Sequence, residues 1–217
     1  TDDGCSVDSD KIFAEALKKA RKHTMLVICH CEDKKLSREG VLNLGLTSTI
    51  LGLKGISRES EYKRVARDVM MAERHGAPVH IAHVSCRESV DIIAAAKKKG
   101  APVTAETAPH YFSLDETALM DYNTNMKINP PLRNKTDVGA IKQGLRDGII
   151  DVIASDHAPH TENEKDIEFD RAEFGTIGLE TTLAVAISEL VLPGILDWAS
   201  LVRKISFNPA RIMGVKR

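Results

Sequence analysis

Two hydrophobic rhythms alternate along the chain. Short apolar runs rich in Val and Ile read as buried strands, and between them apolar residues recur every third or fourth position, as on one face of a helix. Residues 11–22 form the first helix of this kind, with Phe13, Ala16, Leu17 and Ala20 on one side. Lys18, Lys19, Arg21 and Lys22 lie toward its end, where the helix dipole favours cations. Residues 25–29 read as a strand that stops at His30, and 41–51 as a helical stretch weakened by Gly45 and Gly52. A firmer helix covers 60–75, carries Tyr62, Val65, Ala66 and Val69 on one face, and closes on Gly76.

The same alternation continues to the end. Residues 78–84 read as a strand carrying His80 and His83, and Ser85-Cys86-Arg87-Glu88 as a capping box opening a helix to Lys99. Residues 102–106 are the next strand. A loop-like passage with a short helix at 115–121 then leads to Asn129-Pro130-Pro131-Leu132-Arg133. Thr136 is expected to cap a helix with Val138, Ile141 and Leu145 on one side; the strand 148–154 follows, then helices at 179–190 and 197–205. Repeated βα units of this kind make a parallel sheet.

A doubly wound sheet and a (β/α)8 barrel both fit that pattern. No G-x-G-x-x-G follows a strand, which counts against a dinucleotide-binding sheet. Polar, ligand-type residues instead stand at successive strand ends, namely Asp3, His30, His83 and Asp156. In a closed barrel those ends ring a single pocket. The fold expected is therefore α/β, a TIM-type (β/α)8 barrel. The chain has no initiator Met and opens on a turn, so it reads as an excerpt of a longer polypeptide, with residues 1–217 forming part of one domain.

Composition narrows the function classes. With 42% hydrophobic and 28% charged residues the chain can bury a sizeable core. Its 30 Lys+Arg against 31 Asp+Glu leave no field for nucleic acid or a membrane surface, and no apolar run spans a bilayer. Cys5, Cys29, Cys31 and Cys86 have neither C-x-x-C spacing nor the density of a disulfide framework, which suits a reducing cytoplasm. Cys29 and Cys31 are expected to face away from His30 as small buried residues.

The sharpest chemical signal is Ser155-Asp156-His157-Ala158-Pro159-His160, directly behind the strand at 148–154. An aspartate and two histidines there build a core poorly but aim well into a pocket. Two histidines and two carboxylates, one per strand end, suit Zn²⁺ or a similar borderline metal. Strict alternation would put His80 and His83 on opposite faces, so at most one would enter the barrel centre.

With Asp2-Asp3-Gly4, His30-Cys31-Glu32-Asp33, His80-Ile81-Ala82-His83-Val84-Ser85, the 129–133 motif, Asp156-His157-Ala158-Pro159-His160 with Lys165, and Asn208-Pro209-Ala210-Arg211, the chain resembles the bacterial dihydroorotases of the amidohydrolase superfamily over nearly its whole length. The resemblance implies that residues 1–217 are a partial catalytic barrel of the metal-dependent hydrolase kind, lacking its first strands. It also implies zinc-dependent, reversible hydrolysis of dihydroorotate to N-carbamoyl-L-aspartate in pyrimidine biosynthesis, with two Zn²⁺ per complete site. It implies that Asp3 bridges the ions, that His30 and His83 hold the second, and that Asp156 ligates the first and shuttles the proton. Asn129, His160, Phe174 and Gly175 would contact substrate, and the charged stretch 162–173 would form a mobile segment over the pocket. A His-x-His pair expected on the first strand does not occur in the chain, so by itself the excerpt is expected to hold one metal weakly and to be inactive. The resemblance leaves a homo-oligomer or an aspartate carbamoyltransferase open as partner. Two other readings compete: a different cyclic amidase such as a hydantoinase or allantoinase, and a non-catalytic subunit scaffolding aspartate carbamoyltransferase.

Overall fold

The computed structural model describes residues 1–215. Four parallel strands form the main sheet in the order β1 (Val27–Cys29), β4 (Val79–Ile81), β5 (Val103–Thr107) and β6 (Val152–Ile153). Ile28 pairs with His80 and His80 with Thr104 along one row, and Glu106 pairs with Val152 further up. Helices α1 (Asp10–Lys22), α4 (Glu59–His75), α5 (Arg87–Lys98) and α7 (Lys135–Arg146) pack on one side. The sheet is thus an arc of a barrel with its helical layer outside.

Period-two alternation builds the core. Val79, Ile81, Val103 and Ala105 face the helices and join Phe13, Leu17, Val65, Val69, Ile93, Ile141 and Leu145 in one apolar cluster. Several of these side chains are wholly buried, each worth about 1.5–3 kcal/mol relative to exposure. The alternate positions Thr104 and Glu106 point inward, where both hydrogen-bond the His80 ring.

After a short helix α2 (Lys34–Ser37), a smaller parallel pair, β2 (Leu42–Asn43) with β3 (Gly55–Ile56), flanks α3 (Leu46–Leu51). The helical reading of 41–51 is therefore half right. Leu42 is buried with Val41, Leu119 and Phe169, and that contact holds its backbone extended against Gly55. Gly76 closes α4 at a φ of 57°, as expected of a left-handed cap.

Other ends are made differently from expectation. Ser85 does not cap α5; its hydroxyl turns to Glu61, whose carboxylate also accepts from the backbone N–H of Ser85 and Cys86. Asn134, not Thr136, caps α7, accepting from the N–H groups of Thr136 and Asp137. The long passage after β5 holds α6 (Pro109–Ser113) and two 3₁₀ turns. After α8 (Glu162–Lys165), the last helices are α9 (Thr182–Ala186), α10 (Trp198–Val202) and α11 (Asn208–Ile212), with π-helical turns at Ile187–Val191 and Arg203–Phe207. Pro209 lacks the N–H that a regular helix needs there, which accounts for the widened turn before it. Asn208 and the buried Lys204 donate to the carbonyls of Asp151 and Ile150, so this motif anchors the base of β6, away from the pocket. Burial lowers the Lys204 ammonium to about 8. No described helix is long and apolar enough to cross a membrane.

Candidate metal centre and its pocket

The N-terminal segment brings Asp3 into place by lying along the free edge of β1. The Asp2 N–H donates to the Ile28 carbonyl at 3.3 Å, and the Asp2 carboxylate accepts from the His30 N–H at 2.8 Å. His30 follows β1 directly, and Cys29 and Cys31 on either side of it are buried in the apolar layer or beside Asp68, as expected. His83 lies two residues beyond β4, where the backbone turns left-handed at a φ of 37°. This turn breaks the alternation. The expectation that only one of His80 and His83 faces the barrel interior is overturned, because His80 sits in the strand row below and His83 at the pocket above it.

His30 Nδ1 and His83 Nε2 are 2.8 Å apart, and Asp3 Oδ1 stands 3.6 and 3.7 Å from the two rings. Ligand atoms on a tetrahedral zinc at about 2.05 Å lie about 3.3 Å from one another, a spacing these distances bracket. His83 Nδ1 is buried without a hydrogen-bond partner among the described residues, so the ring is poised through Nε2 alone. The donor set, two imidazoles and a carboxylate, fits a borderline divalent ion. The hydrogen bond from His83 lowers the Asp3 carboxyl against the effect of burial. Burial pulls His83 down, but Asp3 and the charge of Asp156 more than offset it and raise the ring above its ordinary value.

Asp156 follows β6 with a left-handed φ of 49° and lines the same cavity of about 340 Å³, together with Asn129, Phe174 and Gly175. Two non-glycine residues in this sparsely populated region at one pocket are the kind of strain found at functional sites. Burial raises the Asp156 carboxyl, yet His110 and the charge of His83 outweigh it and keep it below the ordinary value. His110 is 8% exposed, with Nε2 3.5 Å from Asp156 Oδ2. Sequence reading missed this histidine, although it stands just past β5 as His30 and His83 stand past theirs.

Glu32 of the His30-Cys31-Glu32-Asp33 motif accepts through its carboxylate from His30 Nε2 and from Asn129 Nδ2, each at 3.2 Å, and so ties His30 to Asn129. Those bonds, against burial, hold it down to about 2. His160 does not line this cavity; its Nε2 donates at 2.9 Å to the carbonyl of Phe174, which does. His157 turns away and accepts through Nδ1 from the N–H groups of Gly178 and Leu179.

Gly175 has a φ of 148°, and a Cβ there would stand 2.5 Å from the Ala158 carbonyl oxygen and 2.9 Å from the His160 ring. Gly175→Ala therefore pushes the Phe174 wall off His160. It should cost about 1–3 kcal/mol of stability, read from the denaturant midpoint. A midpoint unchanged by the substitution would show that the close approach is not maintained.

A family model described as dihydro-orotase-like matches residues 1–89. Dihydroorotases of Elusimicrobium minutum and Pelotomaculum thermopropionicum are each 51% identical over 217 residues, covering all of this chain and 50% and 51% of the relatives. The chain thus spans about half the length of the curated relatives it matches. Among solved structures, a D-hydantoinase from Thermus sp. superposes with a TM-score of 0.83 at 23% identity, over 94% of this chain and 47% of that one. A dihydropyrimidinase from Brevibacillus agri gives 0.81 at 26%, over 95% and 47%. The arc of parallel strands accordingly has the fold of an incomplete barrel of that hydantoinase kind, and by sequence the chain is similar to dihydroorotases along its whole length and to the dihydro-orotase-like family model over residues 1–89.

Proposed function

We propose that residues 1–217 are part of the catalytic barrel of a zinc dihydroorotase, which opens dihydroorotate to N-carbamoyl-L-aspartate and closes it in reverse. The observation that carries this reading is the convergence of Asp3, His30 and His83 on one point, with Asp156 facing the same cavity. In this reading His30, His83 and Asp3 would hold one Zn²⁺, and Asp3 and Asp156 would contribute to a second. Bound zinc would lower the pKa of water to about 7 and polarise the ring carbonyl.

The chain's own residues supply the rest. Ring opening adds water across the amide C–N bond, and the ring nitrogen leaves only when it gains a proton. Asp156 is ionised at neutral pH, so it can accept the proton released by water and deliver it to that nitrogen. Asn129 offers an amide to the substrate, and the Phe174–Gly175 backbone, braced by His160, closes the far side. Every ligand position implied for this part of the barrel is filled, which favours an enzyme over a scaffolding subunit. The hydantoinase reading rests on fold likeness, whereas half of all positions are shared with proteins named dihydroorotase.

The test is ultraviolet-monitored ring opening by the full-length polypeptide, with metal analysis beside it. We expect turnover and two zinc ions per chain. Two bound zincs with turnover of hydantoin but not dihydroorotate would transfer the reading to the other cyclic amidases, and no bound metal would sink both. Cytoplasmic location and a partner such as a second copy or an aspartate carbamoyltransferase belong to the same proposal.

A further inference from the structure

The charged stretch after His160 reads as a mobile segment, but two lysines fasten it from opposite sides. Lys127 is 2% exposed, and its ammonium donates to the carbonyls of Asp170 at 3.1 Å and Ala172 at 2.6 Å. The same ammonium lies 4.6 Å from the centre of the Phe174 ring and 5.7 Å from that of Phe169. The Lys127 carbonyl in turn accepts from the Gly175 N–H at 2.9 Å. Half-buried Lys165 donates to the carbonyls of Glu173 at 2.7 Å, Thr124 at 3.0 Å and Lys127 at 3.4 Å.

Among the described residues neither lysine has a carboxylate within 4 Å. Asp170 and Glu173 act on them only at longer range. An ammonium has three donors; Lys165 directs three bonds and Lys127 two to main-chain oxygens. A salt bridge fixes two side-chain tips. A bond to a carbonyl fixes the path of the backbone, and these bonds join 165–175 to 124–127, immediately before Asn129. Phe169 and Ala172, both buried, add the apolar part of the seal.

We infer that Lys127 and Lys165 are positioning residues that clamp segment 161–176 as a fixed wall of the pocket, holding Phe174 and Gly175 where substrate meets them. The fixed wall follows from the structure, and the substrate contact rests on the dihydroorotase reading. The experiment is hydrogen exchange of the full-length polypeptide in its parent form and as Lys165→Met and Lys127→Met, with zinc content and steady-state kinetics measured in parallel. We expect exchange across 161–176 to quicken by about tenfold in Lys165→Met while peptides holding His30 and His83 stay unchanged. Zinc content should be unaltered, and KM for dihydroorotate should rise about tenfold with kcat within about threefold.

Three results overturn the clamp. The parent segment could exchange as fast as an unstructured peptide, Lys165→Met could leave 161–176 unchanged, or exchange could quicken uniformly over the chain. If Lys127→Met fails to fold, the half-exposed Lys165 still decides. A segment-confined change in a protein that does not turn over dihydroorotate supports the clamp and overturns only the activity assigned to the site.

Discussion

Asp156→Asn in the full-length polypeptide should lower kcat for dihydroorotate by about 10³-fold while leaving the protein folded. The size follows from the role. A positioned acid–base group contributes about 10²–10⁴-fold, and a lost metal contact adds to that rather than offsetting it. Asparagine also separates chemistry from structure. Asp156 sits at a φ of 49°, and asparagine is the neutral side chain that best tolerates that left-handed conformation. Its oxygen can still meet His110 across the 3.5 Å gap, so shape and neighbours are kept while the proton acceptor is removed. Turnover is measured at saturating substrate with zinc content determined on the same sample. A variant retaining more than a tenth of parental kcat would remove Asp156 from the proton path and leave the site without a base.

The convergence of His30, His83 and Asp156 was legible because a polar residue at the end of an apolar strand is a local signal, whereas Asp3 precedes the first strand of the chain and carries no such signal there. His110 carries the same signal, but β5 runs one residue further than its apolar pattern, and Pro109 disguised the start of a helix as a loop. The parity argument failed at His83 because it assumed that a strand continues as long as its residues remain apolar, whereas β4 ends at Ile81. The roles of Lys127 and Lys165 were invisible for a different reason. Their partners are main-chain carbonyls, which no residue type announces. Glu61 was read only as part of a helix, although its neighbour across the fold is Arg133, 72 positions away. Periodicity marks which face of an element is buried. It does not mark which buried charge meets which.

That last pair yields the second large effect. Arg133→Met should destabilise the protein by about 3–5 kcal/mol, because it leaves the Glu61 carboxylate buried without its cation. The side chains are 1% and 4% exposed, and the guanidinium reaches Glu61 at 3.3 Å, Ser85 Oγ at 3.1 Å and Asn43 Oδ1 at 2.8 Å. Burial raises the Glu61 carboxyl, but the charge of Arg133 and the bonds from Ser85 and Ser89 outweigh it and hold it below its ordinary value. In the parent, then, Glu61 contributes stability above the unfolded carboxyl range that is lost as pH falls through its lowered value. Without Arg133 the folded carboxyl should rise above the unfolded one, so the native state binds the extra proton and the variant gains stability on acidification. The gap between the two proteins should therefore narrow from pH 7.5 toward pH 5. Pairing the change with Glu61→Gln removes the orphaned charge and should recover much of the loss. Denaturant midpoints at the two pH values measure all of this. An Arg133→Met protein within about 1 kcal/mol of the parent, with no dependence on pH, would show that water or another donor already satisfies Glu61.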